Sequence, residues 1–277
     1  MPEIPDLEAV REILNRHLAG VRIESVEAPK PIVVRLPVDD FRARLTGATF
    51  GRIDRRGKFL LFTLSTHDVL LVNAMLTGRF QYTEPSRERS ARTCFVLSLA
   101  DGCELRYVDQ RFMGKVYLVA ADALESVPQF GTMGPDALDP ELSEEVFLQR
   151  LRRYRGQVKN VLVKAEFIAG IGNAYADEIL FDAGIHPFTK VSDLADPQRR
   201  EIYQALQRVM DWAIPIVREE MDGDPAAKPR DFLRVHRKGG QDCPRCGTSI
   251  SEVSPNRRVT SFCRKCQPGY ARGSRRG

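Results

Sequence analysis

The residues MPEIPDLE (positions 1–8) decide how the rest of the chain has to be arranged. Removal of the initiator methionine would leave a secondary amine on Pro2, and such an amine can attack an aldehyde-like carbon to form an iminium. Glu3 stands beside it as a candidate acid or base. Apolar residues then recur at helical spacing, which predicts a helix from about Pro5 to Gly20. The alternative interpretation is an ordinary amphipathic helix behind a short leader. The motifs near the C-terminus distinguish between these two interpretations.

The composition is that of a globular protein with a mild positive charge. The chain has 277 residues, of which 43% are hydrophobic and 29% are charged, and its net charge is +5. This charge fits a polyanionic partner, although many proteins without one are equally basic. No apolar run reaches the ~18 residues of a membrane span, and no signal peptide is recognisable. We therefore expect a cytoplasmic protein that does not bind membranes.

The hydrophobic pattern changes from short strands to helices along the chain. Residues 21–119 read as strands separated by turns, and from residue 141 the apolar period becomes helical. The predicted fold class is α+β, with an N-terminal antiparallel β-sandwich and a C-terminal helical part that ends in a zinc-finger β-hairpin. Segments rich in Gly, Pro and Asp mark the boundaries. The predicted domains are 1–130, 131–225 and 226–277.

Four loops carry residues that could grip a phosphate or enter a base stack. Four cations surround a turn at 52–58, which is either a solvated hairpin tip or a phosphate grip through Lys58. Leu76 and Met113 stand in loops where polar residues are expected, and they either pack in the core or enter a base stack. The turn Gly170–Asn173 offers backbone N–H groups and a side-chain amide to an anion, but this signal is weak by itself.

The most specific motif consists of two C-x-x-C pairs separated by sixteen residues. Its members are Cys243, Cys246, Cys263 and Cys266. Four thiolates suit a tetrahedral Zn²⁺ with no open position, so the spacing predicts one structural zinc, with redox and iron–sulfur sites as the less favoured alternatives. Between the pairs, residues 250–253 and 258–262 predict a hairpin with Asn256, Arg257 and Arg258 at its tip, and the basic tail 272–277 adds nonspecific phosphate attraction.

In this order the motifs resemble the formamidopyrimidine-DNA glycosylase and endonuclease VIII family of base-excision repair enzymes. The resemblance covers nearly the whole chain and rests on four segments. They are residues 1–5, residues 55–61, residues 170–178, and the cysteine pairs together with Arg258-x-Thr260-x-Phe262-Cys263.

The resemblance implies a helix-two-turns-helix domain and a bifunctional DNA glycosylase and AP lyase. The implied catalytic residues are Pro2, Glu3, Lys58 and Arg258. Pro2 would form a Schiff base with a flipped nucleotide, and β,δ-elimination would cut the strand. The implied DNA-binding residues are Arg92, Arg111, Lys159, Asn173, Leu76 and Met113. The expected partner is double-stranded DNA with damaged bases or abasic sites, bound by a monomer near the nucleoid.

Several positions depart from the usual pattern of this family. Asp6 replaces a glutamate, Leu76 stands at the void-filling position, and Met113 replaces an aromatic wedge. Arg111 keeps the place of the arginine that faces the orphaned base, and the segment 222–236 is short. We therefore expect a substrate range other than, or broader than, oxidised guanine. The alternative is a non-catalytic zinc-containing DNA-binding protein with the same fold, which the complete catalytic set disfavours.

Overall fold

The computed structural model describes residues 1–254 and 258–269. Contacts divide the chain into two compact units, Met1–Met133 with Ile214–Pro229, and Gly134–Ala213 with Arg230–Gly277. The division into three domains at residues 130 and 225 stays a prediction. The predicted hairpin-tip residues Asn256 and Arg257 and the basic tail 272–277 lie outside the described residues.

The first unit begins with helix α1 (Ile4–Leu18), whose N-terminus is closed by its own side chains. Asp6 accepts the backbone N–H of Glu3 at 2.7 Å. Although aspartate is one methylene shorter than the family's usual glutamate, it satisfies a backbone donor that has no partner within the helix. Asn15 bonds both the N–H and the C=O of Ile53, at 2.9 and 2.7 Å. This pair of bonds fixes helix α1 to the strand that contains Ile53.

Two four-stranded antiparallel sheets form the body of this unit, in the orders β1-β6-β7-β5 and β2-β3-β4-β8. The strands are β1 (Ile23–Glu27), β2 (Phe50–Arg56), β3 (Phe59–Leu64), β4 (Asp68–Asn73), β5 (Gly78–Thr83), β6 (Thr93–Leu99), β7 (Glu104–Asp109) and β8 (Lys115–Ala120). Phe62 of one sheet meets Phe80 of the other with ring centroids 5.3 Å apart. The sheets thus share an apolar core, and the predicted antiparallel β-sandwich is confirmed.

The prediction of strands throughout residues 21–119 was wrong at helix α2 (Val38–Leu45). Phe41 and Leu45 are buried four residues apart, which is a helical period. Strands β5 and β7 lie within the region predicted to form strands, although no individual run of residues marked them. Every residue of β7 is buried, so no alternation marks it, and Glu104 and Arg106 are accommodated because they form an ion pair at 2.5 Å.

The second unit contains helices α3 (Glu144–Leu151), α4 (Val158–Leu162) and α5 (Asn173–Asp182), followed by α6 (Asp196–Met221). The last eight residues of α6 belong to the first unit. Strands β9 (Ser251–Val253) and β10 (Thr260–Phe262) pair antiparallel, as predicted. Helix α4 ends at Leu162, and the chain turns at Lys164. Within the described residues no helix has the length and hydropathy to cross a membrane.

Candidate functional site

The amino terminus lies in a sheltered, positively charged part of the first unit. Burial, followed by the charge and the hydrogen bond of Lys228, lowers the pKa of the Met1 amino group to about 5. Arg79 acts in the same direction, and Glu3 opposes it. Pro2 and Glu3 are both buried next to this group. An amine with such a pKa is unprotonated near neutral pH, so its lone pair is available for attack on carbon.

The turn that carries Lys58 is braced by a buried ion pair. Arg55 donates to Glu8 of α1 at 2.6 Å and to the carbonyl of Gly57 at 2.9 Å. Burial alone would raise the pKa of Glu8, but Arg55 and then Arg11 lower it below its ordinary value. Arg55 is therefore neither a solvated tip residue nor a phosphate ligand. Its role is to hold the turn at Gly57, where the half-buried Lys58 follows.

One carboxylate joins the loops that carry Leu76 and Met113. Asp109 is fully buried and accepts the hydroxyl of Thr77 at 2.5 Å, the N–H of Arg111 at 3.1 Å and the N–H of Gly114 at 2.7 Å. The two loops are neighbours because strands β5 and β7 pair with Asp109 opposite Gly78. Leu76 and Met113 on these loops are 36% and 40% exposed, so they are not core residues.

Phe112 anchors the second of these loops. Two cations lie over its ring, with Lys30 Nζ at 5.6 Å and Arg92 Cζ at 5.1 Å from the centroid. Phe112 has a φ of 53°, a left-handed conformation that is unfavourable for an aromatic residue. The neighbouring side chains of Arg111 and Met113 are exposed. The structure therefore couples Arg92 to the loop of Arg111 and Met113.

Two further predicted residues meet at one carbonyl in the second unit. The Val259 oxygen accepts from Lys159 Nζ at 2.8 Å and from Asn173 Nδ2 at 2.7 Å. Asn173 is the first residue of α5, and Val259 directly follows Arg258. Lys159, Asn173 and Arg258 all line a polar cavity of about 310 Å³. The geometry brings these three sequence-predicted residues together at the start of a helix, where N–H groups favour an anion.

Lys159 differs from the other two because its ammonium group is held inside the protein. It is 4% exposed and pairs with Asp177 at 2.6 Å. Asp177 also contacts His236 Nδ1 at 2.7 Å and accepts the N–H of Ser261 at 3.2 Å. Lys159 thus holds strand β10 against α5, and its contact with DNA stays a prediction.

The four predicted zinc ligands converge as the spacing requires. All four sulfur atoms lie within 4.8 Å of one another. The Sγ atoms of Cys243 and Cys266 are 3.8 Å apart, and those of Cys246 and Cys263 are 3.5 Å apart. Zn–S bonds of about 2.3 Å in a tetrahedron would separate the sulfur atoms by about 3.8 Å. The four thiolates therefore fit one structural zinc, which would cross-link the two ends of the β9-β10 hairpin.

The sequence reasoning missed the residues that act through distant partners. Arg79 of β5 and Lys228, in the segment after α6, both lower the pKa of the amino terminus. Asp177 of α5 forms an ion pair with Lys159. Tyr107 lies under the loops that carry Leu76 and Met113, since a Cβ on Gly78 or Gly114 would meet its hydroxyl at 2.0 or 2.2 Å. No local pattern distinguishes these residues, because each is defined by a contact across the fold.

Comparison with known proteins matches three domain families in sequence order. The formamidopyrimidine-DNA glycosylase N-terminal domain matches residues 1–116, the formamidopyrimidine-DNA glycosylase H2TH domain matches 133–222, and the zinc finger found in FPG and IleRS matches 240–269. The formamidopyrimidine-DNA glycosylase of Pelotomaculum thermopropionicum is 33% identical over 273 residues, covering 96% of this chain and 99% of its own. That of Moorella thermoacetica is 36% identical over 259 residues, covering 91% and 94%.

Solved structures agree with the sequence comparison over the full length. The complex of Lactococcus lactis FPG with a FAPY-dG containing DNA superimposes with a TM-score of 0.89 at 28% identity, covering 96% of this chain and 100% of that one. The complex of the same enzyme with an abasic site containing DNA gives 0.88 at 27% identity, covering 97% and 100%. Because domain order, full-length relatives and fold coincide, the chain belongs to the formamidopyrimidine-DNA glycosylase family.

Proposed function

We propose that this DNA glycosylase of base-excision repair is bifunctional and also cuts the strand as an AP lyase, with Pro2 as its nucleophile. The observation that carries the proposal is the environment of the amino terminus, which lowers the pKa of the Met1 amino group to about 5. Once Met1 is removed, the imino group of Pro2 becomes the chain end in the same surroundings. Its lone pair is then available at neutral pH, which an iminium-forming nucleophile requires.

The chemistry follows from a secondary amine next to a carboxyl group. The Pro2 nitrogen bonds to C1′ while the glycosidic bond breaks, and the base leaves with the electron pair of that bond. Loss of the amine proton and opening of the sugar ring give an iminium, with Glu3 placed to transfer protons. Removal of a C2′ proton then breaks the bond to the 3′ phosphate, and a second elimination breaks the bond to the 5′ phosphate.

The remaining predicted residues would bind and stabilise the phosphates. Lys58, on the turn that Arg55 braces, and Arg258, beside the Val259 carbonyl, are cations suited to the phosphate leaving groups. Asn173 lies at the N-terminus of a ten-residue helix, a position that favours an anion. Lys159 supports this arrangement by binding Val259 and Thr260. We therefore assign to Lys159 the role of positioning Arg258. To Asn173 we assign the binding of a phosphate.

The ligand we propose is double-stranded DNA that contains a damaged base or an abasic site, as in the Lactococcus lactis complexes. Leu76, Arg111 and Met113 stand together on the loops that Asp109 joins, so they can enter the space left by a flipped nucleotide. An aliphatic leucine and a flexible methionine replace the usual side chains there. We propose a lesion range other than, or broader than, oxidised guanine. We also propose that the protein acts on DNA in the nucleoid.

The test is borohydride trapping on an abasic-site duplex, followed by a panel of lesion duplexes. The protein is first checked by intact mass for removal of Met1. We expect a covalent adduct of enzyme and DNA with the mature protein, and none with a form that carries two extra residues before Pro2. The panel should show activity on several oxidised bases.

The outcomes separate the parts of the proposal. Binding of abasic DNA without any trapped adduct would mean that the chain is a non-catalytic DNA-binding protein. Trapping together with a clear preference for 8-oxoguanine opposite cytosine would keep the nucleophile and overturn the proposed lesion range.

A further inference from the structure

Helix α5 presents two consecutive carboxylates to the interior of the second unit. Asp177 is 1% exposed and Glu178 is fully buried. Glu178 accepts the backbone N–H groups of Arg234, Val235 and His236 at 3.1, 3.0 and 2.9 Å. These three donors satisfy the buried carboxylate. Glu178 thus joins the helix to the segment that precedes the zinc-binding cysteines.

Asp177 binds different partners from those of its neighbour. Its carboxylate accepts the N–H of Ser261 in β10 at 3.2 Å and contacts His236 Nδ1 at 2.7 Å. It also forms an ion pair with Lys159 Nζ at 2.6 Å. One carboxylate therefore joins a strand, a loop and a buried ammonium group.

The buried ammonium group connects Asp177 to the residues that follow Arg258. Lys159 Nζ donates to the carbonyl of Val259 and to the hydroxyl of Thr260, each at 2.8 Å. Arg258 itself is exposed and lines the polar cavity. Because the next two residues are fixed, Arg258 has less conformational freedom to lose when it binds a phosphate.

The carbonyl of Val259 has two donors, and they differ in what else they can do. Asn173 Nδ2 is the second donor, at 2.7 Å. When Asn173 turns its amide to a phosphate, as the proposed function requires, Lys159 still holds this carbonyl. An ammonium group buried this deeply needs a carboxylate beside it to keep its charge, and Asp177 supplies one.

We propose that Asp177 is a positioning residue that fixes Arg258 for a phosphate of the DNA backbone, acting through Lys159 and β10. The inference rests on the proposed function, in which Arg258 binds a phosphate, and adds a residue to it. At 1% exposure Asp177 does not itself touch DNA. Its replacement should therefore weaken binding only through the contact that Arg258 makes.

The experiment measures the Kd of a duplex with a stable abasic-site analogue at salt concentrations from about 50 to about 200 mM. The mature wild type is compared with Asp177→Asn, Arg258→Ala and the double variant. Asparagine keeps the size of aspartate and can still accept a hydrogen bond, but it lacks the charge that holds Lys159. Phe147→Leu, at a buried position of α3, is the control for a general loss of stability in the same unit. Urea unfolding and borohydride trapping on an abasic duplex are recorded in parallel.

We expect Arg258→Ala to weaken binding about tenfold, the loss of one hydrogen bond between charged groups. It should also flatten the plot of log Kd against log salt concentration by about 0.9, the slope of one phosphate contact. Asp177→Asn should produce most of both changes when Arg258 is present. When Arg258 is already absent, it should weaken binding by less than about twofold. Phe147→Leu should lower the stability and keep the salt slope of the wild type.

A wild-type salt slope in Asp177→Asn, beside a flatter slope in Arg258→Ala, would overturn the inference and leave the proposed function intact. Equal weakening by Asp177→Asn with and without Arg258 would also overturn it, since Asp177 would then act on the fold as a whole. An unchanged slope in Arg258→Ala would remove both the inference and the proposed phosphate contact. Absence of a trapped adduct from the wild type would instead refute the proposed nucleophile, while the salt slopes still decide the role of Asp177.

A second variant covers the case in which Asp177→Asn does not fold. Asp177→Asn combined with Lys159→Met removes the buried charge pair as a whole and leaves no uncompensated charge inside the protein. It also removes the ammonium donor to Val259, so it should flatten the salt slope as Arg258→Ala does. A folded double variant with the wild-type slope would overturn the inference.

Discussion

Replacement of Asp109 by alanine tests whether one buried carboxylate holds both loops that carry the proposed lesion-reading residues. The carboxylate accepts from Thr77, Arg111 and Gly114 and is fully buried. Alanine removes all three acceptor contacts and leaves a small void at the end of β7. The loops of Leu76 and Met113 then lose their common attachment.

The size of the effect follows from the bonds and from the cost of burying a charge. Three hydrogen bonds to a charged group contribute about 1.5–3 kcal/mol each. Burial of the carboxylate opposes them by several kcal/mol. The difference predicts that Asp109→Ala lowers the free energy of unfolding by about 3 kcal/mol. Thr77→Val removes only the hydroxyl and should lower it by about 1 kcal/mol.

Urea unfolding of the two variants and the wild type measures these changes, with Asp122→Ala as an exposed control. We also expect Asp109→Ala to bind an abasic duplex more weakly than Asp122→Ala does, because Arg111 and Met113 are no longer held together. If Asp109→Ala unfolds within about 0.5 kcal/mol of the wild type, the surface-substitution range, the carboxylate does not organise the loops and the reasoning fails.

Three further predictions concern the remaining parts of the site. Glu8→Gln should lower the free energy of unfolding by about 3 kcal/mol at pH 7, since Arg55 loses its buried partner. Because the pKa of Glu8 is lowered in the folded protein, the difference in stability between wild type and variant is present above pH 4.5, the ordinary pKa of the group. It disappears as the pH falls through the pKa of Glu8 in the folded protein. A difference that persists in acid would contradict the role of the ion pair. Gly114→Ala should lower the melting temperature, because its Cβ would lie 2.2 Å from the Tyr107 hydroxyl. Gly156→Ala, with open space around it, should leave the melting temperature unchanged. Equal melting temperatures of the two variants would refute the contact with Tyr107. Removal of zinc by a chelator should unfold the β9-β10 hairpin and abolish DNA binding, with one zinc per chain measured beforehand, and full binding by the metal-free protein would exclude a structural role.

Features that depend on neighbours in sequence could be predicted without coordinates. The apolar period of α1, the paired cysteines and the Gly-x-Gly-Asn turn are local patterns, and the structure has a helix, a four-sulfur cluster and a helix start at those places. Their physical causes, helical spacing and the tight geometry of C-x-x-C, operate within a few residues.

Features that depend on partners far along the chain were decided only by the tertiary structure. The sequence determined that cations cluster near Lys58. Only the fold decided that Arg55 forms an ion pair with Glu8, 47 residues away. It likewise decided that Lys159 is buried against Asp177 and that Lys228 lowers the pKa of the amino terminus. The electrostatic environment of a group is set by the charges and the solvent around it in space, and spacing along the chain does not encode these.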